Sequence, residues 1–215
     1  MLKILLVRHG YSLGNVKNIF CGKTDLDLAE KGFMQAEVVC DYIYKNYNVQ
    51  KLISSPLCRA INTIKPLANL TGLEIETNAG FIEQNCGDWE MLNITQVKER
   101  FLSDHVKYAN LNGDSRPTNG ESMAEVSQRA KKALDEICER YKDIDGTIVI
   151  ATHGCVLTML TCVLKDRPLT DIRKIGWANN ASITEIEYNN GKYELVKFSF
   201  DDYLGDNKTG MIDLE

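Results

Sequence analysis

Leu2-Lys3-Ile4-Leu5-Leu6-Val7-Arg8-His9-Gly10 is a nearly continuous aliphatic run that ends in Arg-His-Gly. Such a run is typical of a strand that is buried on both faces of a mostly parallel sheet. A second strongly apolar run, residues 147–151, ends in a similar way at Thr152-His153-Gly154. Because open α/β sheets bind ligands outside the carboxyl ends of their strands, both histidines are expected at one site.

Strands and helices alternate between these two runs, which predicts an α/β/α sandwich with three layers around one mostly parallel sheet. One helix is expected to open at Asp27 with Glu30 as its capping-box partner, and another at Ser55 with Pro56 in the first helical position. The chain is expected to form a single domain, 1–215, with a helical lid or insertion at about 80–120. Further strands are predicted at 51–54 and 73–77, and further helices at 95–110, 122–141 and 156–164. A hairpin is predicted at 182–188 and 193–200. The acidic tail, 201–215, is expected to be solvated.

The composition is that of an ordinary globular protein. Of its 215 residues 44% are hydrophobic and 26% are charged, which excludes collagen-like and largely disordered chains. The formal net charge is −5 and no long run of Lys or Arg occurs, so we expect neither nucleic-acid nor anionic-membrane binding. The first apolar stretch is too short for a signal peptide or a membrane helix. The seven cysteines show no C-x-x-C spacing, so they are expected to be reduced thiols of a cytoplasmic protein.

The paired histidines suit phosphoryl chemistry. An imidazole nitrogen can accept a phosphoryl group and so divide one transfer into two steps. The transferred group carries roughly two negative charges, and guanidinium groups bind it strongly. Arg8 stands beside His9, and Arg59 is expected near the start of the helix that follows the second strand. A lone histidine after a strand is more often a satisfied loop residue, but the matched pair favours a site.

Arg8-His9-Gly10, with Asn15 six positions beyond the histidine, resembles the signature of the histidine phosphatase superfamily, the phosphoglycerate-mutase-like proteins. The resemblance continues in order along most of the chain, and several ordered motifs are far more specific than a single Arg-His-Gly. Its further parts are 21–28 with Gly32 and Gln35-Ala36; 54–60 with Thr63; Glu83 with Gly87, Trp89 and Glu90; Gly120-Glu121-Ser122 with Arg129; and Thr152-His153-Gly154.

The resemblance implies a role for each residue of the site. His9 is expected to be the nucleophile that becomes a phosphohistidine. Glu83 is expected to protonate the leaving oxygen and then, as a base, to activate water. No metal and no cofactor are implied, because arginine and histidine cations neutralise the phosphoryl charge. The residues expected to hold the phosphoryl oxygens and the substrate are Arg8, Arg59, His153, Asn15, Cys21, Gly22 and Gly154.

The chain departs from the family pattern at four positions that shape the pocket wall or a helix start. None of them replaces a reacting group, so the departures leave catalysis credible and leave the substrate open. They are Tyr11, Asp27, Ala29 and Ile82.

The family contains both mutases and phosphatases. A cofactor-dependent phosphoglycerate mutase holds a bisphosphate with adjacent arginines and a proline-rich insertion, whereas residues 91–119 contain no Arg-Arg pair and one proline. Fewer fixed cations favour transfer to water, so the expected function is hydrolysis of small phosphorylated metabolites. The alternatives are that mutase and a non-catalytic module that binds a phosphorylated ligand, although such a module predicts loss of a reacting residue and none is lost. The expected partner is a small phosphorylated substrate, and a homodimer is allowed.

Overall fold

Six strands form one mixed sheet in the computed structural model, which describes residues 1–209. Their order across the sheet is β3-β2-β4-β1-β5-β6. The first four are mutually parallel, while β5 and β6 form the predicted antiparallel hairpin at one edge. The bounds are β1 Leu2–Arg8, β2 Val49–Ser54, β3 Ile75–Thr77, β4 Thr147–Thr152, β5 Ile183–Asn189 and β6 Lys192–Phe200.

Helices cover both faces of the sheet. Those of the described residues are α1 Leu13–Val16, α2 Glu30–Asn46, α3 Cys58–Thr71, α4 Ile94–Arg100, α5 Leu102–Tyr108, α6 Met123–Tyr141, α7 Gly154–Leu164 and α8 Ile172–Ile175. Successive side chains of a strand point to opposite faces, so Leu5 and Val7 pack with α2 and α3 while Ile4 and Leu6 pack with α6 and α7. The three-layer sandwich predicted from the sequence is confirmed. No helix in this part of the chain combines the length and the apolar character needed to cross a bilayer.

The strand register brings the predicted site residues together. β1 and β4 are neighbours, and Arg8 lies opposite Thr152, so His9 and His153 follow adjacent strand ends. β2 lies on the other side of β4, which places Ser55 next to His153. The expectation that both histidines lie together at the carboxyl ends of the strands is confirmed.

The cap predicted for α2 is wrong. The helix begins at Glu30 after Ala29, and no side chain caps it. The carboxylate of Asp27 instead accepts hydrogen bonds from the amide of Leu28 and from the side chain of Asn62 in α3, both at 2.7 Å. Asp27 therefore ties the loop before α2 to the neighbouring helix.

The cap predicted for α3 is also wrong. The helix begins at Cys58 after Leu57, again without a side-chain cap. The hydroxyl of Ser55 lies 2.7 Å from Nε2 of His153, whose side chain is completely buried. A buried imidazole needs a polar partner. The Ser55 hydroxyl, predicted as the cap of α3, therefore pairs with His153 instead.

The segment expected as a lid contains shorter helices than the periodicity predicts. In place of one helix over 95–110 there are α4 and α5, because Phe101 leaves the helical conformation at φ −134° and ψ 38°. The helix predicted at 122–141 is confirmed as α6, and Ser122 with Glu125 forms a capping box at its start.

The prediction of a solvated tail is wrong for residues 201–209. Asp202–Asn207 forms a 3-10 turn in which Leu204 is buried. The ring of Tyr203 stacks on that of Tyr42 in α2, with centroids 4.5 Å apart. An apolar side chain and an aromatic pair thus hold an acidic segment against the fold. The remainder of the tail, 210–215, lies outside the described residues.

Candidate active site

A cleft opens at the carboxyl edge of the sheet. Its volume is about 160 Å³, which is below the range of about 300–1,000 Å³ typical of pockets for drug-sized ligands. Of the predicted site residues, His153 and Gly22 do not line the cleft. Those that do are Arg8, His9, Asn15, Cys21, Arg59, Glu83 and Gly154.

His9 carries a free nitrogen into this cleft. Its Nδ1 lies 2.8 Å from the carbonyl oxygen of Gly10. A carbonyl can only accept, so Nδ1 carries the proton and Nε2 the lone pair. Burial, together with the positive charges of Arg59 and Arg8, holds the pKa of His9 well below its ordinary value. The imidazole is therefore neutral at pH 7 and able to act as a nucleophile through Nε2.

Two buried nitrogens beside His9 have no hydrogen-bond partner. They are Nε of Arg8 and Nδ1 of His153, and the described residues contain one further buried side-chain atom in this condition, Oγ of Ser182. The rings of His9 and His153 are 5.2 Å apart. An unpartnered buried polar group is costly and calls for an explanation. An anionic ligand at His9 would supply the missing acceptor.

The surroundings of Arg8 disfavour the charged form of its side chain. Burial lowers the pKa of its guanidinium to about 10, a shift opposed by Glu83 and reinforced by Arg59. Its Nη1 donates to the carbonyl of Ala178. Gly154 permits the guanidinium to lie close to the start of α7, since a Cβ at this position would be 3.3 Å from Arg8 Nε. A dianionic ligand would favour the charged form of Arg8.

Arg59 is fully buried at the start of α3 and is held by a loop. Its guanidinium donates to the carbonyls of Thr24 (2.9 Å), Gly22 (2.8 Å) and Cys21 (3.2 Å). These three bonds leave other N–H donors of the five in a guanidinium to face the cleft. The prediction that Arg59 points into the site is consistent with this geometry.

Glu90 organises the loop that holds Arg59. Its carboxylate accepts hydrogen bonds from the amides of Gly22, Lys23 and Thr24, at 2.8–3.3 Å, and from the hydroxyl of Thr24 at 2.7 Å. The loop approaches the backbone at Gln84 so closely that a Cβ at Gly22 would collide with it. Gly22 therefore acts through close packing in the wall behind Cys21.

Glu83 reaches the cleft from the loop before α4. Its Oε1 accepts a hydrogen bond from the amide of Gln84 (2.8 Å), and Oε2 lies 3.4 Å from the amide of Cys155 in α7. Arg129 of α6 donates to the backbone carbonyl of Glu83 at 3.1 Å and forms a two-pronged ion pair with Glu121. The carboxylate of Glu83 thus contacts α7, while α6 holds its backbone.

Asn15 and Cys21 complete the predicted set. The side-chain oxygen of Asn15 accepts hydrogen bonds from the amide and hydroxyl of Ser12 and from Asn180, so the amide presents its NH₂ group as donor. Burial raises the pKa of the Cys21 thiol, and its sulfur lies 3.3 Å from the carbonyl of Thr24. Cys21 is therefore a neutral part of the wall.

Several other side chains that line the cleft were not predicted from the sequence. No local pattern marks them, because separate loops and short helices carry them to one place. The motif of Gly87, Trp89 and Glu90 is the one signal that could have directed attention to this region. These residues are Ser12, Gly14, Ile19, Phe20, Gln84, Cys86, Tyr108 and Trp177, and Cys155, next to the predicted Gly154, also lines the cleft. Within residues 1–209, no three His, Cys, Asp or Glu side chains are grouped as a metal site would require.

Comparison with known proteins shows the family of this chain. The family model of the histidine phosphatase superfamily, branch 1, matches residues 4–201. The chain therefore belongs to this superfamily, and it is a histidine phosphatase enzyme. The resemblance inferred from the ordered motifs is confirmed.

Individual relatives carry different activities in their names. The chain is 27% identical to phosphoserine phosphatase 1 of Hydrogenobacter thermophilus over 206 residues, 96% of each protein. It is 30% identical to the probable phosphoglycerate mutase GpmB of Yersinia pestis, over 87% of this chain and 86% of the relative. Among solved structures it is similar to a mutant of the phosphoserine phosphatase of Entamoeba histolytica in complex with phosphoserine, with a TM-score of 0.83, 26% identity and coverage of 95% and 100%.

Proposed function

We propose that this protein hydrolyses small phosphomonoesters, without a metal ion, through a phosphohistidine at Nε2 of His9. The observation that carries the proposal is the neutral imidazole of His9, 5.2 Å from the ring of His153, together with the buried, unpartnered nitrogens of Arg8 and His153. A phosphoryl group placed there meets a neutral nucleophile and the donors that its oxygens need.

The first step transfers the phosphoryl group to the enzyme. Nε2 of His9 attacks phosphorus as the bond from phosphorus to the ester oxygen breaks. The carboxyl group of Glu83 gives its proton to that leaving oxygen, because an alkoxide is a poor leaving group. Arg8, Arg59 and His153, with the side-chain NH₂ of Asn15, stabilise the three phosphoryl oxygens.

The second step returns the enzyme to its starting state. Glu83, now a carboxylate, takes a proton from a water molecule, whose oxygen attacks the phosphorus of the phosphohistidine. The bond between phosphorus and nitrogen breaks, inorganic phosphate forms, and His9 recovers its lone pair. Two arginines supply the charge neutralisation that Mg²⁺ supplies in many other phosphoryl transfers.

The similarity to a probable phosphoglycerate mutase supports one alternative function, that of a mutase. A mutase would return the phosphoryl group to a glycerate instead of water. The same assay separates the two functions, because one releases inorganic phosphate and the other converts one phosphoglycerate isomer into another.

Three broader proposals accompany this function. The chain acts as one domain in which residues 80–120 serve as a lid, supported by the fact that Glu83 and Tyr108 of this segment line the cleft. The protein is cytoplasmic, which is supported by seven free thiols. A homodimer remains a prediction that analytical ultracentrifugation tests.

The test measures phosphate release from a panel of phosphomonoesters in EDTA, with isomerisation of 3-phosphoglycerate in the presence of 2,3-bisphosphoglycerate measured in parallel. We expect metal-independent release that His9→Ala lowers by at least about a thousandfold. Normal release by His9→Ala would contradict the proposal. Isomerisation without release would establish the mutase, and inactivity in both assays would favour the binding module.

A further inference from the structure

The cleft is lined by charged side chains and by a group of apolar and aromatic ones. The charged residues are Arg8, Arg59 and Glu83, and the second group, which we call the apolar wall, is Ile19, Phe20, Tyr108 and Trp177. We propose that the preferred substrates are phosphomonoesters whose leaving group is uncharged, apolar and about the size of one ring. This inference rests on the proposed phosphatase function and names the class of substrate.

The aromatic part of the wall is built on a rigid support. The completely buried ring of Trp89 lies behind both Phe20 and Tyr108, at centroid distances of 5.2 and 5.1 Å in edge-on geometry. The backbone of Phe20 is also paired, with its amide donating to Leu92 (2.8 Å) and its carbonyl accepting from Met91 (2.9 Å). Edge-on aromatic contacts of this kind hold each ring in place. The wall therefore presents a fixed apolar surface to the leaving group.

The hydroxyl of Tyr108 in this wall is already engaged by another side chain. The hydroxyl of Tyr108 lies 3.2 Å from Oε1 of Gln84, to which it donates. The side-chain nitrogen of Gln84 donates in turn to the carbonyl of Glu121 at 2.7 Å. Because this hydroxyl is already engaged, Tyr108 offers a ligand chiefly its aromatic ring.

The charged side chains that line the cleft are few, and the proposed function assigns all of them to the phosphoryl group. Of the cleft-lining residues in the described part of the chain, the cations are Arg8 and Arg59, and the anion is Glu83. Arg8 lies beside His9, and three donors of Arg59 are already bound to carbonyls. A carboxylate on the leaving group would enter an apolar wall beside Glu83 with no cation to pair with, and burying an unpaired charge is unfavourable. Phosphoserine and phosphoglycerate both carry such a carboxylate.

The experiment compares kcat/KM for benzyl phosphate, methyl phosphate, O-phosphoserine and 3-phosphoglycerate in EDTA. All four are esters of alkyl alcohols, so the comparison reports recognition more than leaving-group reactivity. Benzyl phosphate is expected to exceed both carboxylate-bearing esters by at least about tenfold, the scale of discrimination that an apolar pocket provides. Equal or higher kcat/KM for O-phosphoserine or 3-phosphoglycerate would overturn the inference while leaving the phosphatase function intact.

Variants of the apolar wall test whether it causes the preference for an apolar leaving group. Trp177→Ala is expected to lower the ratio of kcat/KM for benzyl phosphate to that for methyl phosphate by about tenfold, and Trp177→Phe to restore most of it. Tyr44→Ala, which removes an aromatic ring half exposed on α2, is the matched control and should leave the ratio unchanged. An unchanged ratio in Trp177→Ala would count against the wall as the recognition surface. Failure to release phosphate from any ester, methyl phosphate included, would overturn the proposed function and this inference with it.

Discussion

Ser55 determines which nitrogen of His153 can serve a ligand. Its hydroxyl lies 2.7 Å from Nε2 of His153 and also accepts a hydrogen bond from the amide of Leu57 at 3.4 Å. Burial, with the charge of Arg59 next in importance, lowers the pKa of His153 well below its ordinary value, so the ring carries one proton at pH 7. We expect the Ser55 hydroxyl to donate to Nε2, which places that proton on Nδ1. The unpartnered Nδ1 is then a donor prepared for an oxyanion.

The variant Ser55→Ala tests this arrangement. Without the hydroxyl, Nε2 loses its partner and the proton no longer has to reside on Nδ1. We expect kcat/KM to fall about tenfold, the size of one buried hydrogen bond to a charged group, and the inhibition constant of vanadate to rise in parallel. Ser182→Ala is the matched control, because it removes a buried hydroxyl that has no partner. Wild-type kcat/KM and vanadate inhibition in Ser55→Ala would contradict this role.

Helix α6 supports the loop that carries Glu83 without lining the cleft. Arg129 donates to the carbonyls of Gly80 (2.8 Å) and Glu83 (3.1 Å), and its ion pair with Glu121 is largely shielded from solvent. These bonds fix the loop from which the Glu83 carboxyl reaches the site. We therefore expect Arg129 to position the proposed proton donor, Glu83.

Arg129→Met is expected to lower kcat about tenfold while KM changes little, because misplacement of Glu83 affects proton transfer more than binding. The free energy of unfolding should also fall by about 1–3 kcal/mol, since Glu121 loses its partner. Lys132→Met on the same helix, where the side chain is 79% exposed, is the control. A wild-type kcat together with the loss of stability would show that Arg129 has a structural role alone.

Features that the local sequence determines could be predicted, whereas features that depend on contacts between distant residues could not. The buried strands and their terminal histidines followed from hydrophobic runs and from the strand-end rule. The caps assigned to Asp27 and Ser55 were wrong because Asn62 and His153, both distant in sequence, compete for those side chains. Tyr108 and Trp177 escaped prediction because only the folded chain brings them to the same cleft.

All three histidines favour the neutral imidazole in the folded protein at pH 7. His9, His105 and His153 have pKa values lowered chiefly by desolvation, and the chain contains no other histidine. The unfolded chain therefore binds more protons than the folded one once the pH falls below about 6.5. Each such group contributes stability that is complete above its unfolded pKa and is lost as the pH falls towards its folded pKa.

Urea unfolding at pH 7.5, 6.5 and 5.5 measures this linkage. We expect the free energy of unfolding to be nearly constant from pH 7.5 to 6.5 and to decrease from pH 6.5 to 5.5. Each histidine contributes at most about 1.4 kcal/mol per pH unit. His153→Gln should reduce the slope in the lower interval. A stability that rises on acidification would show that these imidazoles are charged in the folded protein.

The proposed mechanism requires an intermediate in which phosphate is bound covalently to His9. Rapid mixing of the enzyme with a good substrate, followed by alkaline quenching within milliseconds and peptide mass spectrometry, detects this intermediate. We expect one phosphoryl group on the peptide that contains His9, stable in alkali and labile in acid, and absent from His9→Ala. Steady turnover with no phosphoenzyme detected, or a phosphoryl group on another residue, would contradict it.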